Sequence, residues 1–214
     1  MKIKTMALGT MYTKSYIISD SHNNAYIIDP GDEGEKIFSF LNKENLNLKF
    51  IINTHGHFDH IGANRFLKQK TEAEIIIHKN DNELLIDPAK NLSGYFYSSR
   101  KITSPPADKF IAGGDLLEFD EFNFKVLHTP GHTAGGVSLY CSEEKVLFCG
   151  DTIFSNGIGR TDLPGANPES LKSSIENKLL TLPDDTVVYP GHGNYIKLKS
   201  FEKNIWPSMC SNLT

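Results

Sequence analysis

The sequence predicts an α/β fold in which one β-sheet packs on another and helices cover the outer faces. The chain reads as two similar halves, and in each half strand-like apolar runs come first, with helical patterns alternating after them. Its length of 214 residues suits one domain of ordinary size. We therefore expect a single domain over residues 1–214.

Strands of the first half are predicted by runs of β-branched, aromatic and other apolar residues. These runs are 16–18, 25–28, 50–52 and 75–77. Ile37, Phe40 and Leu41 are spaced as on one face of a helix, which predicts a helix over 34–44. The same spacing recurs at Ala63 and Phe66, so a second helix is expected there.

The second half repeats this organisation. Its predicted strands are 116–119, 122–128, 136–141, 145–149 and 187–189, and its predicted helix is 168–181. Between the halves, segment 87–115 is rich in Pro, Ser and Gly and shows little periodicity, which predicts a long loop. This loop is a candidate flap over a substrate, and a solvated connection is an equal alternative.

Composition excludes several classes of partner. The net charge of −4 and the isoelectric point near 6.1 give no support for binding nucleic acid or an anionic membrane. No stretch approaches the roughly 18 apolar residues of a membrane helix, and no apolar run follows the first lysines as in a secretory signal. Three cysteines without C-x-x-C spacing are expected to be free thiols that pack in the interior. We expect a cytoplasmic protein that binds neither a membrane nor nucleic acid; nothing in the sequence indicates its oligomeric state.

The strongest chemical signal is a group of four metal-ligand residues within six positions: His55, His57, Asp59 and His60. Side chains two residues apart cannot share a helix face, but they can converge from an extended segment such as the one after strand 50–52. Gly56 leaves room for the backbone to bend, and Asp59 and His60 fall at the start of the next helix. This grouping predicts a metal site.

Three more candidate ligands follow strands of the second half. His132, Asp151 and His192 each come after an apolar strand and a glycine-containing turn, where open α/β sheets place their chemistry. Seven ligands exceed the need of one catalytic zinc ion, but they suit two metals if Asp151 bridges them. Imidazole and carboxylate ligands without thiolate suggest zinc, iron or manganese; two divalent ions, zinc first, are the expected cofactors.

The order of these motifs resembles the metallo-β-lactamase-fold hydrolases over essentially the whole chain. Segments 150–154 and 157–165 make it similar to the short glyoxalase II-like group in particular. The resemblance implies a four-layered αββα sandwich of two mixed sheets flanked by helices. It also implies one metal on His55, His57 and His132, a second on Asp59, His60 and His192, and Asp151 as the bridge.

The function implied is hydrolysis of a thioester of the hydroxyacyl-glutathione type by a hydroxide that two metals share. Asp59 would orient this hydroxide and so act in catalysis as well as in metal binding. Three alternatives remain open: a mono-iron sulfur (persulfide) dioxygenase of the same fold, a phosphodiester hydrolase, and a binding module without catalysis. A small-molecule thioester or ester is the expected partner.

Departures from the family narrow these expectations. The β-lactamases proper usually carry Cys where this chain has Asp151, so antibiotic hydrolysis is not expected. Glyoxalase II has a helical C-terminal domain that helps to hold glutathione, whereas this chain ends soon after His192. We therefore expect the loops at 157–165 and 87–115 to determine the choice of substrate.

Two residues outside the ligand set are candidates for substrate binding. Arg160 lies in a glycine-rich loop and could clamp a carboxylate, with pairing to Asp162 as the alternative. Tyr195 follows the last ligand closely, as a substrate-binding tyrosine does in glyoxalase II, although the offset differs by one residue. His128 is expected to be either a partner behind a ligand or a buried hydrogen-bonded residue, and not a ligand itself.

Overall fold

A computed structural model describes residues 1–96 and 101–210 of the chain. The chain divides into two units, Met1–Ile111 and Ala112–Thr214, which correspond to the two halves predicted from the sequence. Each unit contains one six-stranded mixed sheet, and helices flank both sheets. The predicted α/β class with two mixed sheets is therefore confirmed, and the single domain over 1–214 stays a prediction.

The sheet of the first unit has its strands in sequence order. They are β1 (Lys2–Leu8), β2 (Thr13–Ser19), β3 (Asn24–Ile28), β4 (Asn47–Ile52), β5 (Glu74–His78) and β6 (Lys109–Ile111). The first three pair antiparallel, and β3 to β6 pair parallel. Because β3, β4 and β5 run in one direction, the segments that follow them leave the sheet at the same edge.

Helices of the first unit are short. They are α1 (Gly34–Lys43), α2 (Phe58–Ile61), α3 (Asn64–Thr71), α4 (Asn82–Ile86) and α5 (Ser93–Phe96), with a 3₁₀ turn at Lys79–Asp81 before α4. Ile37 and Leu41 form the buried face of α1, as their spacing predicts, and α1 packs on α3. Leu67 is the buried anchor of α3, which contacts β4 and β5.

The sheet of the second unit has the spatial order β14-β13-β10-β9-β8-β7. Its strands are β7 (Leu116–Glu118), β8 (Asn123–His128), β9 (Val137–Cys141), β10 (Val146–Gly150), β13 (Val187–Pro190) and β14 (Ile196–Lys197), and a separate hairpin joins β11 (Ile153–Phe154) to β12 (Gly157–Ile158). Only β10 and β13 pair parallel, so their following residues emerge side by side.

One helix of the second unit supplies much of its core. This helix is α6 (Pro168–Ser174), which continues as a π-helical turn at Ile175–Leu179. Leu171, Ile175 and Leu179 are fully buried, as the spacing predicts. They pack with residues of β10 and with α7 (Leu198–Asn204) and α8 (Trp206–Cys210).

Several elements differ from the sequence prediction, among them segment 87–115 and the first strand. Segment 87–115 is not wholly a loop: α5 and β6 lie within it, while residues 97–100 fall outside the described part of the chain. Strand β1 was not predicted, because only Leu8 in it is buried and an exposed edge strand lacks apolar alternation. Within residues 1–96 and 101–210, no helix has both the length and the apolarity to cross a bilayer.

Candidate metal centre

The turn between His55 and His57 is shaped by contacts with the 3₁₀ turn and α4. The Gly56 amide donates to Asp81 Oδ2 at 3.1 Å, and a β-carbon at Gly56 would lie 2.4 Å from Leu84 Cβ. Only glycine fits this close approach. The two imidazole rings lie 4.9 Å apart between centroids, so both histidines face one space, as the sequence predicts.

Helix α2 carries Asp59 and His60 at its start, as expected. His60 Nε2 lies 3.5 Å from Asp59 Oδ2, and the His60 ring lies 4.1 Å from that of His55. The buried hydroxyl of Thr13 on β2 donates to Asp59 Oδ2 at 2.8 Å. The first unit thus brings its four predicted ligands together, and Thr13 fixes the orientation of the carboxylate among them.

Asp29 is a residue of this site that sequence reasoning missed. It follows β3 directly, it is buried, and its backbone has a positive φ of 51°. Its carboxylate accepts from the Thr54 amide at 2.7 Å, the Thr54 hydroxyl at 2.6 Å and His60 Nδ1 at 3.0 Å. The available signal was a carboxylate at the end of a strand, but it stood in an Asp-Pro-Gly turn and was read only as turn chemistry.

These contacts determine which ring nitrogen each histidine presents. His60 donates from Nδ1 to Asp29. The single hydroxyl hydrogen of Thr54 also goes to Asp29, so Thr54 Oγ1 accepts from His55 Nδ1 at 3.2 Å. In both histidines, Nε2 therefore carries the lone pair that a metal requires. Asp29, His55 and His60 each have a potential ligand atom within 4.8 Å of the others.

The second unit brings its three predicted ligands together around one carboxylate oxygen. His132 Nε2 lies 3.6 Å and His192 Nε2 lies 3.5 Å from Asp151 Oδ2. Asp151 follows β10, and the parallel β13 leads to His192, with the Gly191 amide donating to the Gly150 carbonyl at 2.7 Å. The parallel pair of strands thus explains why residues 41 positions apart meet (192 − 151).

His132 is oriented in the same way as His55 and His60. Its Nδ1 donates to the Arg160 carbonyl at 2.9 Å, which leaves the lone pair on Nε2. The loop can approach this closely because residue 159 is glycine: a β-carbon there would lie 1.9 Å from the Asp151 carbonyl oxygen and 3.2 Å from His132 Cβ. Sequence reasoning had assigned Arg160 a role only through its side chain.

The donor set in each unit fits a divalent metal. Ligand atoms about 2.0–2.2 Å from one tetrahedral ion lie roughly 3.3–3.6 Å apart. The three His–Asp separations, at 3.5, 3.6 and 3.5 Å, fall in this range and exceed an ordinary charged hydrogen bond. Imidazole with carboxylate also matches the preference of zinc, iron and manganese.

The Arg160 side chain pairs with Asp162, which is the alternative to a substrate clamp that the sequence left open. Its Nε and Nη2 donate to the two carboxylate oxygens at 2.9 and 2.8 Å, and both side chains are exposed. These hydrogen bonds lower the pKa of Asp162 to about 2. Tyr195 is 70% exposed and contacts the ring of Tyr189. A substrate-binding role for Arg160 and Tyr195 stays a prediction.

The remaining histidines and the cysteines have structural positions. His128 Nε2 donates to the Ala134 carbonyl at 3.0 Å, His78 Nδ1 accepts from the Asn80 amide at 3.2 Å, and His22 is exposed. Cys141, Cys149 and Cys210 form no disulfide in the described part of the chain, which confirms the expectation of free thiols.

Comparison with known proteins agrees with this geometry. Residues 8–192 match the model of the metallo-beta-lactamase superfamily. The probable metallo-hydrolase YqgX of Bacillus subtilis is 41% identical over 194 residues, which cover 90% of each chain. The hydroxyacylglutathione hydrolase GloC of Haemophilus influenzae is 39% identical over 195 residues, which cover 91% of this chain and 92% of GloC.

Two crystal structures are similar over nearly the whole chain. BLEG-1, a B3 metallo-beta-lactamase, superposes with a TM-score of 0.91 at 38% identity and covers 95% of this chain and 97% of its own. TTHA1623 in a di-iron-bound form gives a TM-score of 0.84 at 32% identity, over 94% of this chain and 98% of its own. The chain therefore belongs to the metallo-β-lactamase superfamily and is a metal-dependent hydrolase with that family's fold.

Proposed function

We propose that the protein hydrolyses a small-molecule thioester of the hydroxyacyl-glutathione type at a centre of two divalent metals. The main support for a two-metal hydrolase is the position of Asp151 Oδ2, which lies about equally far from His132 Nε2 and His192 Nε2. The thioester is supported by the 39% identity to GloC. The proposed ligands are His55, His57 and His132 for one metal, Asp59, His60 and His192 for the other, and Asp151 for both.

The residues of the metal site have distinct roles in this reaction. Bound metals would lower the pKa of a water molecule to near neutrality and would polarise the carbonyl oxygen. Asp59, held by Thr13, accepts a hydrogen bond from the attacking water and orients its lone pair toward the thioester carbon. Asp29 and the Arg160 carbonyl hold the rings of His60 and His132 so that neither rotates during the reaction.

No protein nucleophile is needed for this chemistry. Ser138 and Cys149 are buried, and their hydrogen bonds go to Thr129 and to backbone carbonyls. Zinc is the proposed metal, and the di-iron form of TTHA1623 supports iron as the alternative. We further propose that the substrate is a small molecule, because the charge gives no support for nucleic acid or an anionic membrane. The three free cysteines support action in the reducing cytoplasm.

A second candidate function is hydrolysis of a β-lactam. It is favoured by the 38% identity to BLEG-1, against our expectation from Asp151. The two substrates share a carbonyl that water attacks, but only the thioester releases a thiol. A thiol-specific reagent therefore distinguishes the two activities.

The proposed function is tested with a panel of substrates and a parallel metal analysis. We expect close to two metals per chain and fastest turnover of a hydroxyacyl-glutathione thioester, compared with a lactone, a β-lactam and a phosphodiester. Dialysis against a chelator is expected to abolish turnover while circular dichroism stays near that of the native protein, because the buried apolar residues of each sheet form a core without metal. Added zinc or iron is expected to restore activity.

Two outcomes would contradict this proposal. Uptake of oxygen with about one iron per chain would indicate a sulfur dioxygenase instead of a hydrolase. Loss of the native circular dichroism spectrum on chelation would indicate a metal that supports the fold rather than catalysis.

Arg160 gives a test of how the substrate is recognised. If its guanidinium clamps a substrate carboxylate, Arg160→Ala is expected to lower kcat/KM about ten- to a hundredfold for anionic thioesters and little for a neutral acetyl thioester. Asp162→Ala is the matched variant, since it releases Arg160 from its present pair and is expected to improve the anionic substrate. An equal loss for both substrates in Arg160→Ala would mean that the residue supports the loop only.

A further inference from the structure

The loop that leads to His132 is held by one helix of the second unit. Lys178 Nζ donates to the His128 carbonyl, Ser174 Oγ donates to the Pro130 carbonyl at 2.8 Å, and the Asn167 amide donates to the Gly131 carbonyl at 2.7 Å. Three of the four carbonyls in residues 128–131 thus receive hydrogen bonds, from the N-cap residue of α6, from its last residue and from the π-helical turn that follows it.

The loop also lies directly on the helix backbone. Gly131 has a φ of 139°, and a β-carbon there would lie 2.3 Å from the Leu171 Cα atom. A hydrogen bond within the loop joins its two ends, since the Thr129 amide donates to the Gly136 carbonyl at 2.8 Å. His128 is the last residue of β8 and residues 129–131 lie beyond the strand, so the N-cap of α6, α6 itself and the π-helical turn after it supply donors to the His128, Pro130 and Gly131 carbonyls.

The positions of the two side-chain donors are specific. Ser174 is the last residue of α6, and Lys178 lies within the π-helical turn that follows. Short π-helical turns inside α-helices often occur at functional sites. Lys178 is half-buried, and its hydrogen bond to a carbonyl is charge-assisted, which makes it stronger than the neutral bond from Ser174.

We propose that Lys178 and Ser174 are positioning residues for His132. They hold the backbone at 128–131, and this backbone in turn sets where His132 Nε2 stands relative to Asp151 Oδ2. This inference rests on the proposed function in one respect, namely that His132 is a metal ligand. Partners behind a ligand typically change metal affinity ten- to a hundredfold when they are lost.

The test measures metal retention rather than turnover. Lys178→Met keeps the apolar stem and removes the donor, Ser174→Ala removes the second donor, and Lys178→Arg restores a charged donor. Lys172→Met is the matched control on the same helix. Each protein is loaded with Co²⁺, its visible absorption spectrum is recorded, and Co²⁺ affinity is measured by competition with a chelator; the unfolding midpoint of the metal-free protein is recorded in parallel.

We expect about tenfold weaker Co²⁺ binding and a changed absorption spectrum in Lys178→Met, and a larger loss when Ser174→Ala is added. Lys178→Arg is expected to recover most of the affinity, and Lys172→Met to match the original protein. The proposal is overturned if the double variant keeps its affinity within about twofold, or if only the unfolding midpoint falls. Ser174→Ala alone decides the matter if Lys178→Met does not fold. His132→Ala tests the proposed function separately from the role of Lys178 and Ser174. Unchanged Co²⁺ binding in His132→Ala would overturn the proposed ligand set itself.

Discussion

Replacing Asp151 with alanine is expected to release one metal, or both, and to lower kcat by at least about a hundredfold. The reason is that a single carboxylate oxygen, Oδ2, stands 3.6 Å from His132 Nε2 and 3.5 Å from His192 Nε2. Asp151 is the only carboxylate predicted to bridge the two metals, so the loss of this side chain removes a ligand from each metal. Metal content by elemental analysis and turnover of the best thioester measure the two effects separately.

The matched control for this variant is Asp185→Ala. Asp185 forms an exposed ion pair with Lys145 at 2.6 Å, and such pairs contribute little to stability. We expect this control to keep both metals and its full turnover. Two metals and normal kcat in Asp151→Ala would contradict the bridging role, whereas two metals with a large fall in kcat would confine Asp151 to catalysis.

The second large effect is expected from Asp59→Asn. This change keeps the shape of the side chain but removes the charge that orients the attacking water. We expect kcat to fall about 10²- to 10⁴-fold, while at least the metal of His55, His57 and His132 stays bound. Turnover and metal content, measured on the same preparation, show whether kcat falls while that metal is retained.

Two further variants, one at Thr13 and one at an exposed aspartate, serve as comparisons for Asp59→Asn. Thr13→Val removes the hydroxyl that donates to Asp59 Oδ2 and is expected to cause a smaller loss in kcat of the same kind. Asp184→Asn, which alters an exposed ion pair with Lys199, is expected to change neither turnover nor metal content. Full activity of Asp59→Asn would refute its role in orienting the nucleophile, and loss of all metal would assign Asp59 to metal binding alone.

Sequence reasoning succeeded where the signal was local. The runs around Ile27 and Ile51 predicted strands, and their continuous apolar residues are buried on both faces of the sheet. The helix over 34–44 was predicted because its buried positions recur at helical spacing. Segment 87–115 was harder, since β6 has only one buried residue, Ile111, and depends on pairing with β5 to be a strand at all.

The supporting contacts of the site escaped prediction for a different reason. Asp81 meets Gly56 from 25 positions away, Asp29 meets His60 from 31, and the Arg160 carbonyl meets His132 from 28. Nothing in the spacing of a single segment encodes such pairs. The prediction for Arg160 concerned its guanidinium and did not include its backbone oxygen, which contacts His132.

The sequence by itself determined the kind of chemistry available. Four candidate ligands at positions 55–60 and one candidate after each of three later strands are recognised from side-chain identity and local periodicity alone. The tertiary structure alone decided which nitrogen each imidazole presents and which hydroxyl steadies Asp59. The parallel register of β3 with β4 brings Asp29 to Thr54, and that of β10 with β13 brings Asp151 to His192, because partners distant in the chain meet only when the strands that carry them are aligned.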